Sequence, residues 1–347
     1  MNLFKNRFLL FYCFIFTSFN SFGQVDETDI LSAKLFVELP DYCPTPDAFD
    51  IAPDGSLTLS CPNYADRSKP GVLMRITKEG EVSKLVDVPV LQETGMSKPM
   101  GIAYDDKGVL YVCDNQGNKG RLLRMTFNEN TLINTEIIAS GFNSINGIRY
   151  YNGAVYVTQT NLPKLKKDKV VSGVYCFKIS DRNITINNDN SDKNLIYTSI
   201  TQNPNRQVGL DGLVFNKEGN LLVGNLGDAT IYKLTLTPEG TVSNDEVYVK
   251  LPITVAPDGI NIDLKGNLYV AGFAQNQIFK VDTNKKVTIL AQYPDNDGEN
   301  GALDQPADLI VYGDKLIISN FDLMVAKGMK NTKHSKPYTL SYINLKE

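Results

Sequence analysis

Six short stretches of this chain repeat one pattern, and one position within it carries residues able to do chemistry. They are "PDAFDIAPDGSLTLS" (46–60), "PMGIAYDDKGVLYVCD" (99–114), "INGIRYYNGAVYVTQ" (145–159), "LDGLVFNKEGNLLVGN" (210–225), "PDGINIDLKGNLYVAG" (257–272) and "PADLIVYGDKLIISN" (306–320). The second residue of each is Asp47, Met100, Asn146, Asp211, Asp258 and Ala307. Three carboxylates and one amide at one repeated position are the oxygen ligands that a hard divalent cation takes. Brought together without a cation, the carboxylates would repel, and some would hold protons instead of charge. Ca²⁺ is the first choice for such a set. Mg²⁺ and Mn²⁺ also suit it, and Zn²⁺ would have to accept an all-oxygen site. Turn chemistry is the competing explanation, because Asp-Gly and Asn-Gly precede strands for conformational reasons alone.

No other catalytic motif competes. There is no G-x-S-x-G elbow. The single histidine, His334, lies in a Lys-rich loop and reads as solvated. This argues against a His-dependent mechanism of the paraoxonase-like kind.

The elements that position these residues follow from the same stretches. Each is two period-2 apolar runs joined by a Gly-containing turn, the mark of a β-hairpin. The turn glycines are Gly55, Gly108, Gly153, Gly219, Gly266 and Gly313, spaced 45–66 residues apart. Two further strand-like runs follow each hairpin, such as 229–236 and 246–251, or 277–282 and 286–293. The pattern predicts an all-β, six-bladed propeller of four-stranded antiparallel blades. The last repeat has three strands of its own, ending in 338–345, and the orphan run "AKLFVEL" (33–39) supplies its fourth. That closure leaves no free sheet edge. Inner strands of a propeller line its central channel, so the six slot residues converge at the channel mouth.

Here the chain resembles the SMP-30/gluconolactonase/LRE family of six-bladed propellers over about residues 33–345. The resemblance implies a metal-dependent lactonase: one divalent cation held by Asp47, Asn146, Asp211 and Asp258, a sugar lactone as substrate, and Asp258 as both ligand and base. "PDG" at 257–259 carries it best. Asp47 stands where the family usually has Glu, Asp211 where Asn is usual, and Ser144 where a substrate-binding Arg is often found. Single blades also look like NHL repeats, which form binding modules without chemistry. A strictosidine-synthase-like propeller doing other chemistry is a third reading. Residues near the mouth that would touch a polyhydroxylated ligand are Tyr64, Asn115, Ser144, Asn161, Asn225, Gln275 and Asn320. The long loops 160–173 and 320–337 and the intermediate loop 61–71 open on the same face. The Asn-rich run 181–194 reads as a solvated loop in the outer half of blade three.

Composition bounds the rest. The 347 residues are 42% hydrophobic and 21% charged, a soluble globular balance. No long basic run is present, which argues against nucleic acid as a partner. Lys5 and Arg7, the apolar run 8–16 and the small residues of "SFG" (21–23) read as a signal peptide over 1–23, cleaved before Gln24. The run is too short to span a membrane. Residues 24–347 are then one propeller domain, periplasmic or secreted, with no transmembrane segment. Removing 1–23 takes away two positive charges and no acid, so the net charge passes from −4 to −6. Export favours disulfides. Of the four remaining cysteines, Cys43 and Cys61 flank the first hairpin at the same end and are expected to pair, with Cys113 a rival partner for Cys61.

Overall fold

The computed structural model describes residues 30–166 and 168–346. The signal peptide expected over 1–23 lies outside them. Six sheets follow one another along the chain, and each meanders outward from an inner strand. Blade one runs from Phe49–Ile51 to Val82–Asp87, blade two from Pro99–Tyr104 to Thr131–Phe142, and blade three from Ile145–Tyr151 to Leu195–Ile200. Blade four runs from Leu210–Phe215 to Val242–Lys250 and blade five from Pro257–Ile262 to Val287–Gln292. Blade six takes Pro306–Tyr312, Lys315–Asn320 and Thr339–Asn344 from the C-terminal end. Its outermost strand, Lys34–Glu38, comes from the N-terminal end. The closing strand pairs antiparallel, from Lys34 opposite Tyr342 to Glu38 opposite Thr339. The six-bladed architecture and its closure are thus as the repeats predict.

Each of the six turn glycines has φ between +65° and +86°. Only glycine adopts that conformation without penalty, so these residues fix where every hairpin reverses. Apolar side chains fill the spaces between blades. The largest group joins blades two and three, where Phe142 meets Tyr175 and Phe177 edge-on at centroid distances of 5.6 and 5.8 Å.

The run 181–194 departs from its reading as a solvated loop. Ile184–Thr185 pairs in parallel with Ala139 and Ser140, adding a fifth strand to blade two. Ile186 and Asp192 are buried there. The outer strand of blade two is twelve residues long, and this segment covers part of an edge that would otherwise be open. Among the described residues no helix is long and apolar enough to cross a membrane.

Candidate active site in the central channel

The slot residues reach the channel because the hairpins are irregular where they stand. In blades two to six the register slips between the residue before the slot and the second residue after it. A bulge of this kind re-aims a side chain away from the regular alternation. Hydroxyls of the neighbouring strand hold the irregular backbone in place. Thr158 Oγ1 accepts from Gly147 N at 2.8 Å and donates to the Asp211 carbonyl at 2.8 Å, so it ties blade three to blade four. Ser319 Oγ does the same between blades six and one, accepting from Asp308 N and donating to the Asp47 carbonyl.

The glycine after the slot is explained by this packing and not by a turn. A Cβ on Gly101, Gly147 or Gly212 would stand 2.4, 2.6 or 2.2 Å from the slot carbonyl of the next blade. None of these glycines has positive φ. Gly212→Ala should therefore cost at least about 2 kcal/mol, since the clash is with backbone that cannot yield. Gly224→Ala, whose methyl would meet nothing closer than 3.7 Å, is the matched control and should be nearly neutral. Urea denaturation of the two variants measures the difference.

Asp47, Asn146, Asp211 and Asp258 all line one small cavity, together with Arg149, Ala307 and Asp308. Its volume of about 20 Å³ suits one ion or water and excludes an organic substrate. The larger groove between blades three and four, lined by Tyr151 and Pro238 among others, is on the turn face, and its acids Asp181, Glu218 and Glu239 are accompanied by Lys178 and Lys193. Asp47 and Asp211 are almost fully buried, while Asn146 and Asp258 keep part of their surface open. Asn146 Nδ2 donates to Asp211 Oδ2 at 2.9 Å, so the oxygen end of its amide is what it can offer a cation.

Burial is the largest influence on every carboxyl here, and it favours the neutral form. It pushes Asp211 up to about 8, with Asp308 adding to the rise. Asp47 is raised well above the usual range by burial and then by Asp308 and Asp211. Asp258 is raised likewise by burial, Asp211, Asp47 and Asp308. Met100 and Ala307, the slots without oxygen ligands, are buried in apolar clusters.

Asp308 is the acid of this cavity that the slot comparison missed. It stands one place later than the slot, where the other blades have glycine or Ala48. Its Oδ2 accepts from Phe49 N at 3.1 Å, and its Oδ1 is buried without a partner. "PAD" set against "PDG" was the available signal: the same acid, shifted by one. Arg149 is the cation nearest this set. It moderates the rise at both Asp308 and Asp50 and donates to the carbonyls of Ile148 and Ile260. A charged residue inside an otherwise apolar inner strand was its signal.

Of the seven residues expected to touch ligand, Tyr64 is close enough to the ring to feel the charge of Asp47, and its hydroxyl is raised by burial and by that charge. Its ring faces Phe321 at 6.4 Å, and Phe321 faces Phe273 at 5.9 Å. These three build an aromatic wall from the loops of blades one, five and six. Asn225 and Asn320 are fully buried clamps. Asn225 accepts from Asp228 N and donates to Ser199 and Thr201, whereas Asn320 accepts from Asp304 N and donates to Thr339 and Ser341. Asn115 closes a turn onto Gly117 N, and Gln275 donates to the Gly328 carbonyl. Ser144 has φ of +67° and bonds through its backbone to Gly117 and Thr160. Asn161 Oδ1 is buried without a partner.

Two other expectations are corrected. Cys43, Cys61, Cys113 and Cys176 are free thiols. Cys43 and Cys61 do lie side by side, with a hydrogen bond between them, but Cys61 Sγ donates to Asn63 Oδ1 at 3.1 Å. His334 is half-buried and not solvated, stacked on Tyr338 at a centroid distance of 5.3 Å.

A six-bladed propeller with an acidic ring at its channel mouth is the class that fold and site define. The profile of the SMP-30/Gluconolactonase/LRE-like region matches residues 91–297, and the chain belongs to that family. Among solved structures, it is similar to a luciferin-regenerating enzyme at 13% identity and TM-score 0.59, covering 90% of this chain and 94% of that one. It is also similar to a gluconolactonase from Xanthomonas campestris at 13% identity and TM-score 0.57, covering 92% and 96%. A calcium-binding protein, regucalcin, from Agrobacterium tumefaciens aligns at 12% identity and TM-score 0.58, covering 92% and 95%. At such identities the likeness shows the fold. A search of curated proteins finds no match.

Proposed function

We propose that this chain is an exported, metal-dependent hydrolase of a sugar lactone or related lactone. The observation that carries the reading is the convergence of Asp47, Asn146, Asp211 and Asp258 on one ion-sized cavity. The donor chemistry fits a hard cation. Every ligating side chain offers oxygen, Asp308 Oδ1 is buried without a partner, and burial drives the carboxyls toward forms that only a proton or a cation supports. Among the described residues no group of three or more His, Cys, Asp or Glu side chains is placed to hold a metal ion, so the ring carboxyls would have to draw together around one, with Asn146 as the fourth donor.

A divalent cation bound there, Ca²⁺ first by donor type, supplies Lewis acidity to the lactone carbonyl and acidifies water. Asp47, Asn146, Asp211 and Asp258 would hold it. Asp258, with part of its surface open to the channel, takes the proton of the attacking water on its carboxylate. The cavity is too small for the substrate, so the lactone lies above it, against Tyr64, Phe273 and Phe321. These rings exclude water from one side of the reacting bond. The family membership, the related gluconolactonase and regucalcin, and the N-terminal apolar run support the reading.

The test is calorimetry with divalent cations, followed by a panel of lactones with and without EDTA. Expected are cation binding and hydrolysis lost to EDTA and restored by Ca²⁺. A protein that binds none of Ca²⁺, Mg²⁺, Mn²⁺ or Zn²⁺ would keep protons in its ring, and the lactonase reading would fall to a non-catalytic binding propeller.

A further inference from the structure

Outside the ring, unsatisfied polar atoms concentrate under the long loop of blade six. Asp304 is fully buried, and neither of its carboxylate oxygens has a hydrogen-bond partner. Its carboxyl is in direct contact with that of Asp322, which is 6% exposed. Asp322 Oδ2 accepts from Ser335 N at 2.7 Å and Ser335 Oγ at 3.1 Å, while its Oδ1 is also without a partner. Asn331, 2% exposed, stands beside the Asp322 carboxyl and offsets part of its rise, while its Nδ2 lacks a close hydrogen-bond partner. His334 holds the Asp322 carbonyl oxygen through Nδ1 and leaves Nε2 without a partner.

The charges that Asp304 feels most are Asp322, Asp295 and Asp297, all acidic. Lys330 is engaged on the Tyr293 carbonyl and Lys336 on Asp41, and the basic group facing Asp322 is the His334 ring, its Nδ1 3.7 Å from Asp322 Oδ2. Burial pushes Asp304 up to about 8 and raises Asp322. One shared proton would satisfy the contact between the two carboxyls but leave other oxygens orphaned. A hard cation satisfies them together and neutralises both charges.

We propose that Asp304 and Asp322 hold a second cation, Ca²⁺ by donor type, that fastens the 320–337 loop over the channel mouth. Neither residue lines the ring cavity, so the site is separate from it. Two carboxylates are fewer than a complete set. Ca²⁺ makes up its six to eight oxygens from carbonyls, amide oxygen and water. Asp322 follows Phe321 directly, so an ion here fixes one panel of the aromatic wall. On the other side Gln305 Oε1 accepts from Leu323 N and Met324 N and holds the same loop.

The test counts Ca²⁺ bound per full-length chain, by calorimetry and elemental analysis, and follows tryptic cleavage at Lys327 and Lys333. Wild type, Asp258→Ala, Asp304→Asn and the double variant are compared. Expected is one calcium fewer in Asp304→Asn than in wild type, one calcium retained in Asp258→Ala, and none in the double variant. Calcium should slow cleavage of the loop at least tenfold in Asp258→Ala and not in Asp304→Asn. If the ring holds no ion, wild type binds one calcium that only Asp304→Asn removes, so this site stands while the ring reading falls. Should Asp304→Asn not fold, Asp258→Ala alone decides: one bound calcium with loop protection supports the site, and none overturns it. Equal calcium in Asp304→Asn and wild type overturns it too and assigns the pair a shared proton.

Discussion

Asp258→Ala should abolish lactone hydrolysis and remove the channel cation together, whereas Met100→Ala should leave both close to wild type. The two residues occupy equivalent slots of different blades, so the comparison isolates chemistry from position. Removing Asp258 deletes an anionic ligand and the proposed base. A positioned base alone contributes about 10²–10⁴-fold, so hydrolysis should fall at least that far. Removing Met100 trims a buried side chain in an apolar cluster and leaves every oxygen donor in place. It should cost about 2–5 kcal/mol of stability, but not turnover by the folded fraction. Calorimetric titration and turnover on the best lactone of the panel measure the two effects. Asp258→Ala that still hydrolyses lactone would remove it from the mechanism.

Deleting residues 31–39 should prevent the ring from folding stably. The segment contributes the outermost strand of blade six and more besides. Leu31 N donates to the Leu290 carbonyl, Leu39 N donates to the Tyr338 carbonyl, and Ala33 exchanges hydrogen bonds with the Tyr293 hydroxyl. Ala33 and Leu39 are buried, and Phe36 packs edge-on against Tyr342 at 6.4 Å. Losing this set exposes apolar surface and an unpaired strand edge. The cost, at least about 5 kcal/mol, is comparable to the whole stability of an ordinary domain. Thermal melting by circular dichroism, with gel filtration to detect aggregates, is the measurement. An unchanged melting temperature in the shortened chain would show that closure does not depend on this strand.

The architecture was legible because one hairpin pattern recurs six times, and its turn glycines all need the left-handed conformation. The ring was legible for the same reason: a repeated slot can be compared across blades. Asp308 escaped because it departs from that register by one residue, and Arg149 because a slot comparison does not look three positions further along. The expected ligand contacts were less legible. A polar residue ending a second strand looks the same in sequence whether it faces a substrate or clamps its own blade. Asn225 and Asn320 do the second, because buried backbone N–H groups at the blade entrance need an acceptor. The aromatic wall was invisible, since Tyr64, Phe273 and Phe321 come from three blades and meet only in space.

The closing strand also sets an order of events. Lys34 emerges early in synthesis, yet its partner Tyr342 lies almost at the other end of the chain. Blades one to five can form as local meanders while the chain lengthens, but the sixth waits for the terminus. The last contact to form is therefore the one of greatest sequence separation, and it bears the largest entropic cost of closure. Until then the propeller is an open horseshoe with its end blades unsealed. Under the proposed export the chain would benefit from this delay, because no amount of early local structure can lock the ring before the last residues have passed.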